Sequence, residues 1–191
     1  FVQIGLSGNK NCVSKTQIHL REAILTMERS TMKTLNLKPR SGPRPSTTSR
    51  LPHSQKNQHG PDDVIDRLHE FCFSLPGVKN EHSQISVPGS RAMVMHEAHE
   101  CNHEAFMIGR EFAHIHPHPD NGSMHLQLPK DDAIEVVEKG WGEDHYLVTL
   151  GRLPKGLVMV FSPRDQDELE VVQEIVTRSY EFATNQQTSG Q

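Results

Sequence analysis

Three histidines, His114, His116 and His125, lie on either side of an Asp120-Asn121-Gly122 turn. Asp-Asn-Gly between two short alternating runs is hairpin punctuation. Side chains alternate faces along a strand. The first run therefore sets Phe112, His114 and His116 on one face, with Ala113 and Ile115 on the other. On the second run His125 and Gln127 oppose Met124, Leu126 and Leu128. Matching the apolar faces allows Ile115 opposite Met124, Ala113 opposite Leu126 and His114 opposite His125, and a two-residue slip would keep the same faces together. That register gathers three imidazoles within about 5–8 Å of one another. Such a group has three chemical readings. His114, His116 and His125 can ligate a divalent metal through neutral ring nitrogens. They can act as bases and donors near neutral pH. Or they form the polar outer face of a sheet.

Other chemistry-bearing residues are less constrained. His118, between Pro117 and Pro119, is assigned to the loop. His96, His99 and His103 have helical ligand spacing but no apolar frame, and lack the H-E-x-x-H pattern. They are read as a polar loop. Phe112 shares the histidine face and would contact a flat substrate, whereas Trp141, between two glycines, either anchors the core or stacks on that substrate. Arg164 stands at a strand-to-helix corner. There it either meets an anionic substrate or pairs with Asp167 or Glu168.

The elements that must position these residues follow from periodicity. Residues 61–74 read as a helix opened by Pro61, Asp62 and Asp63 and closed by Pro76-Gly77. Residues 84–87 and 91–96 read as strands around Pro88-Gly89-Ser90. Residues 130–140 read as a helix with Ala133, Ile134 and Val137 inward. Residues 156–163 form a nearly continuous apolar strand, and residues 165–183 a closing amphipathic helix. The fold class is α+β, a mostly antiparallel sheet with helices packed on one face, which leaves the other face to the histidines.

Composition limits the rest. Of 191 residues 34% are hydrophobic, and no run approaches the ~20 apolar residues of a membrane span, so no transmembrane segment is expected. Three cysteines without paired spacing argue against a disulfide scaffold and for a reducing, cytoplasmic setting. Residues 1–59 carry ten Lys/Arg against two Asp/Glu, and residues 60–191 carry ten against twenty-two. We read residues 1–31 as a disordered or non-native extension, because the chain opens on Phe1 and Met27 and Met32 are plausible starts. Residues 32–59 read as a basic Pro/Ser/Thr-rich arm, and residues 60–187 as the α+β domain. The arm's charges are spaced out with no aromatic residues between them, so no nucleic-acid partner is expected. Nothing in the sequence sets an oligomeric state.

Taken in order, Ala113-His114-Ile115-His116, Met124-His125-Leu126, Lys139-Gly140-Trp141-Gly142 with His145, Ser162-Pro163-Arg164 and the acidic closing helix resemble the fungal luciferase family. The segment Gly42-Pro43-Arg44-Pro45-Ser46-Thr47-Thr48-Ser49 resembles that family's pre-domain stretch, so the likeness runs from about Gly42 to Thr184. It implies an arm lying along its own acidic domain. It also implies oxidation of an enolised 2-pyrone, 3-hydroxyhispidin, by molecular oxygen through an endoperoxide that loses carbon dioxide and emits light. No flavin or nicotinamide takes part, so the partners are a small-molecule substrate and oxygen, with no organic cofactor. His114, His116, His125 and His145 match the pattern as catalytic candidates. Arg164 is the candidate for holding the enolate or peroxide anion.

Overall fold

Pro61 in extended conformation, followed by Asp62 and Asp63, opens helix α1 (Asp62–Ser74), which buries Val64, Ile65, Leu68 and Cys72. A computed structural model describes residues 34–185; the extension expected over residues 1–31 lies outside them. Beyond α1 come strands β1 (Val78–His82) and β2 (Arg91–Met95), a 3-10 turn (His103–Ala105), β3 (Glu111–Ile115) and β4 (Met124–Gln127). Helix α2 (Lys130–Glu138), strand β5 (Gly142–Asp144), helix α3 (Tyr146–Thr149), strand β6 (Leu157–Val160) and helix α4 (Gln166–Thr184) follow. The strands form one antiparallel sheet in the order β1-β2-β3-β4-β6-β5.

Helices α1, α2 and α4 contribute to the core that covers one face of this sheet, so the fold is α+β. Leu68, Val136, Val172, Ile175 and Val176 are fully buried there, each stabilising the fold by roughly 1.5–3 kcal/mol. Asp165 caps α4 by accepting from the Glu168 amide, and Asn185 in left-handed conformation ends it.

The central hairpin has the register expected from its apolar alternation: Ala113 opposite Leu126, His114 opposite His125, Ile115 opposite Met124. Gly122 turns at φ +85°, and a Cβ there would meet Ile65 Cδ1 at 2.5 Å, so α1 seals the turn against larger residues. Gly142 serves close approach instead: a Cβ would lie 2.4 Å from the Met159 carbonyl of the paired strand.

Three expectations are corrected. First, residues 84–87 are not a strand. Ser83 Oγ accepts from the Ile85 and Ser86 amides, winding the segment into a loop, and β2 pairs instead with the earlier strand β1. Second, Ile134 is 37% exposed, and Val136 takes the inward position in α2. Third, Phe112 does not share the histidine face. The β2–β3 register shifts between Met93 and Val94, so that Met93 pairs with Ala113 but Val94 with Glu111. The extra residue is a β-bulge. It sends Phe112 into the core, where its ring lies 6.4 Å from that of Tyr180.

The basic segment runs along the acidic domain. The Leu35 and Leu37 amides donate to Asp132 and Glu135, and the Arg40 guanidinium meets Glu168 at 3.3 Å. Thr47 then bridges Gln55, folding the stretch between them into a loop that reaches the sheet's second face.

Candidate active site

Cross-strand neighbours share a face, and one such row crosses the whole sheet: Glu81, Ala92, His114, His125, Met159 and Glu143. His114 and His125 stand at its centre. His116, just beyond β3, brings its ring centroid to 4.8 Å from that of His125, and His145, capping α3, approaches to 4.6 Å. A fifth imidazole arrives from the arm. His53 Nδ1 lies 3.2 Å from His125 Nε2, and its Nε2 lies 2.7 Å from Glu143 Oε1.

The contacts form a continuous array. Glu111 Oε1 accepts from His114 Nδ1 at 2.7 Å, and His114 Nε2 faces His125 Nδ1 at 3.1 Å. The chain continues through His53 to Glu143, so a carboxylate closes each end. His116 Nδ1 donates to Asp120 Oδ2 at 2.8 Å, and the Gln55 amide of the arm donates to the same oxygen. Glu111 reaches His114 because of the bulge: in an unbroken strand residues three apart face opposite ways. One irregularity thus buries Phe112 and supplies the first carboxylate.

Burial, followed by repulsion from the surrounding imidazoles, holds His125 well below the ordinary histidine range. Burial also lowers His114, against the opposing pull of Glu111. His145 is pushed down to about 4, first by burial and then by His53, His114 and His116. Because the Leu147 amide donates to His145 Nδ1, the neutral ring carries its proton on Nε2. Burial raises Glu143, but hydrogen bonds from His53 and Thr47 and the charge of Arg44 outweigh it, so the group stays ionised.

The five imidazoles line a cavity of about 650 Å³, within the ~300–1,000 Å³ typical of small-molecule sites. Its walls are mostly apolar, with Leu51 and Pro52 from the arm, Ile85 and Val87 from the β1–β2 loop, Phe106 before β3, and Leu153 and Leu157 before and within β6, joined by the polar Ser86, Glu104 and Gln127. No Lys or Arg lines it among the described residues.

The structure brings together His114, His116, His125 and His145, and leaves three other candidates outside. Phe112 is in the core. Trp141 is 5% exposed in the same core, its indole N–H donating to the Lys38 carbonyl, so it anchors the arm. Arg164 is ion-paired with Glu168 and donates to Ser41, and does not line the cavity. His118 is exposed, with Asp62 as its neighbour at 3.8 Å. Sequence reasoning missed His53, Glu111 and Glu143. Glu111 and Glu143 stand close to singled-out residues, but His53 sits in a Pro/Ser/Thr-rich stretch without periodicity.

Fold and site together define an α+β protein whose cavity ends on an array of imidazoles. Residues 109–179, from β3 into α4, match the family described as the luciferase domain. The chain is 32% identical over 167 residues to luciferases of Armillaria gallica and Armillaria ostoyae, an alignment covering 78% of this chain and 62% of each relative. It is 38% identical over 78 residues to a luciferase of Neonothopanus nambi, covering 40% of this chain and 29% of that protein. The chain thus carries a luciferase domain and belongs to the fungal luciferase-like family, spanning less than two thirds of the length of these relatives. No solved structure matches it.

Proposed function

We propose that this protein is a luciferase-like oxidoreductase that uses molecular oxygen to oxidise a small enolisable substrate of the 3-hydroxypyrone type, without an organic cofactor. The supporting observation is the cavity itself, mostly apolar along its walls and ending on five imidazoles. An enol is a poor reductant of oxygen, whereas its enolate is electron-rich. The chemistry therefore needs a place where the enol loses its proton and the resulting oxyanion is held. Imidazole lone pairs and N–H groups side by side provide both functions. His145 Nε2–H is a donor of fixed tautomer for the oxyanion. The apolar walls suit the flat body of a pyrone and the uncharged oxygen molecule, and they limit water around the anion.

The reading is tested by oxygen uptake with a 3-hydroxypyrone and its 3-methoxy analogue. Uptake is expected with the hydroxypyrone and none with the ether, which has no enol proton to lose. Equal uptake with both would remove enolate formation from the mechanism. Arg164→Ala provides a second check. Since Arg164 serves Glu168 and Ser41, the variant is expected to melt at a lower temperature while turnover per folded molecule stays unchanged. A loss of turnover without a loss of stability would return Arg164 to the site.

A further inference from the structure

The carboxylates at the two ends of the imidazole array set where its protons lie. A carboxylate only accepts, so Glu111 fixes a proton on His114 Nδ1, and in the neutral ring Nε2 is then a lone pair. At the other end Glu143 fixes a proton on His53 Nε2, leaving a lone pair on Nδ1. His125 Nε2 must donate to that nitrogen, at 3.2 Å. His125 Nδ1 is then a lone pair too, and it faces the lone pair of His114 Nε2 across 3.1 Å. Asp120 likewise fixes the proton of His116 on Nδ1, leaving its Nε2 as a third lone pair. With every ring neutral, the lone pairs of His114 and His125 face each other with no hydrogen between them, and the adjacent His116 ring offers a third.

We propose that His114, His116 and His125 bind a divalent transition-metal ion, with Glu111 and Asp120 orienting two of the rings from behind.

Two further observations carry this. The first is spacing. The ligand nitrogens of the three residues lie within 4.8 Å of one another. Adjacent nitrogens at about 2.1 Å from one ion stand roughly 3.0–3.4 Å apart, and the His114–His125 pair already does. The second is charge. Glu111 and Asp120 are 2% and 5% exposed, and among the described residues their charge-capable partners are histidines. A divalent ion held by these rings would be flanked by both buried carboxylates and would offset their charge. Asp120 Oδ1, buried without a hydrogen-bond partner, marks the same imbalance. Carboxylate–histidine–metal chains of this kind fix the tautomer and raise ligand basicity. An enolate oxygen, and not a neutral enol, is then the group this floor would receive. The inference concerns the resting site and does not depend on the substrate proposed above.

The test uses the full chain, purified without an affinity tag, stripped with a chelator and titrated with Co(II). One equivalent is expected to bind and to give the visible bands of a nitrogen-ligated ion. His116→Ala and His125→Ala are expected to abolish the bands. Glu111→Gln and Asp120→Asn, milder changes behind the ligands, should weaken affinity about 10–100-fold. Replacing the exposed His96, His99 and His103 with alanine should leave the titration unchanged. Absence of stoichiometric binding by the wild-type chain would overturn the proposal, because a proton shared between His114 and His125 would then be the occupant. Binding that survives in the His125 variant, or that is lost with the exposed histidines, would overturn it as well. Oxygen uptake measured on stripped and loaded protein separates the two readings: no uptake in either state defeats the proposed activity without touching the cobalt result.

Discussion

Replacing His125 with alanine is expected to lower kcat/KM for oxygen uptake on a 3-hydroxypyrone by about 10²–10⁴-fold, the range typical of removing a positioned acid–base group. The size of the effect follows from where the ring sits. Of the five imidazoles His125 is the one in contact with all four others, through its two nitrogens to His114 and His53 and through T-shaped ring contacts to His116 and His145. Its loss leaves a void at the cavity floor and strips His114 Nε2 and His53 Nδ1 of their partner. The backbone pairing of β4 with β3 and β6 does not involve the side chain, so the variant should remain folded, which a thermal melt checks. His118→Ala, removing an exposed ring that is 75% accessible, should keep wild-type uptake. Wild-type uptake by the His125 variant would show that the reaction takes place elsewhere.

The second large effect is on stability. Phe112→Ala is expected to destabilise the fold by about 3–5 kcal/mol in a denaturant titration. Phe112 is fully buried against the sheet–helix core, near Tyr180. A cavity beneath the bulge would also loosen the backbone that aims Glu111 at His114. Substrate KM for the protein that remains folded should stay near wild type, because Phe112 does not line the cavity. A selective rise in KM with unchanged stability would restore it as a substrate contact.

These two residues also mark how far the sequence could be read. The hairpin register was legible because apolar alternation on both strands admits few pairings and the Asp120-Asn121-Gly122 turn anchors them. That logic brought His114, His116 and His125 together correctly. It failed one residue earlier, because alternation assumes an unbroken ladder, and the bulge at Phe112 depends on how β2 pairs, which no local pattern encodes. The same break hid Glu111. His53 was illegible for another reason. It belongs to an irregular loop whose position depends on long-range contacts such as Gln55 with Asp120 and Ser162. It also lies outside residues 109–179, which match the family. Arg164 was half legible: a glutamate four residues on was visible as its partner, and the structure selects that partner over the site. The loop at residues 84–87 was misread because a short run of Ile and Val imitates a strand, while the serine hydroxyl that winds it shows no hydrophobic pattern.

The basic arm is held to the domain by ion pairs and by burial. Its charge is matched by an acidic domain, with Arg40 on Glu168 and Arg44 on Glu143. Its apolar residues Leu35 and Leu37 are buried. The arm thereby becomes part of the cavity wall and carries one of the five imidazoles, which couples its docking to the integrity of the site.

In the proposed reaction the imidazole floor is where substrate meets protein. An anaerobic crystal structure with a 3-hydroxypyrone bound tests this most directly. The enol oxygen is expected within about 3 Å of a nitrogen of His114, His116, His125 or His145, or of an ion they hold, with the pyrone body against Leu51, Ile85 and Leu157. A pyrone bound outside this cavity, or inside it with its enol oxygen turned away from every histidine, would contradict the account.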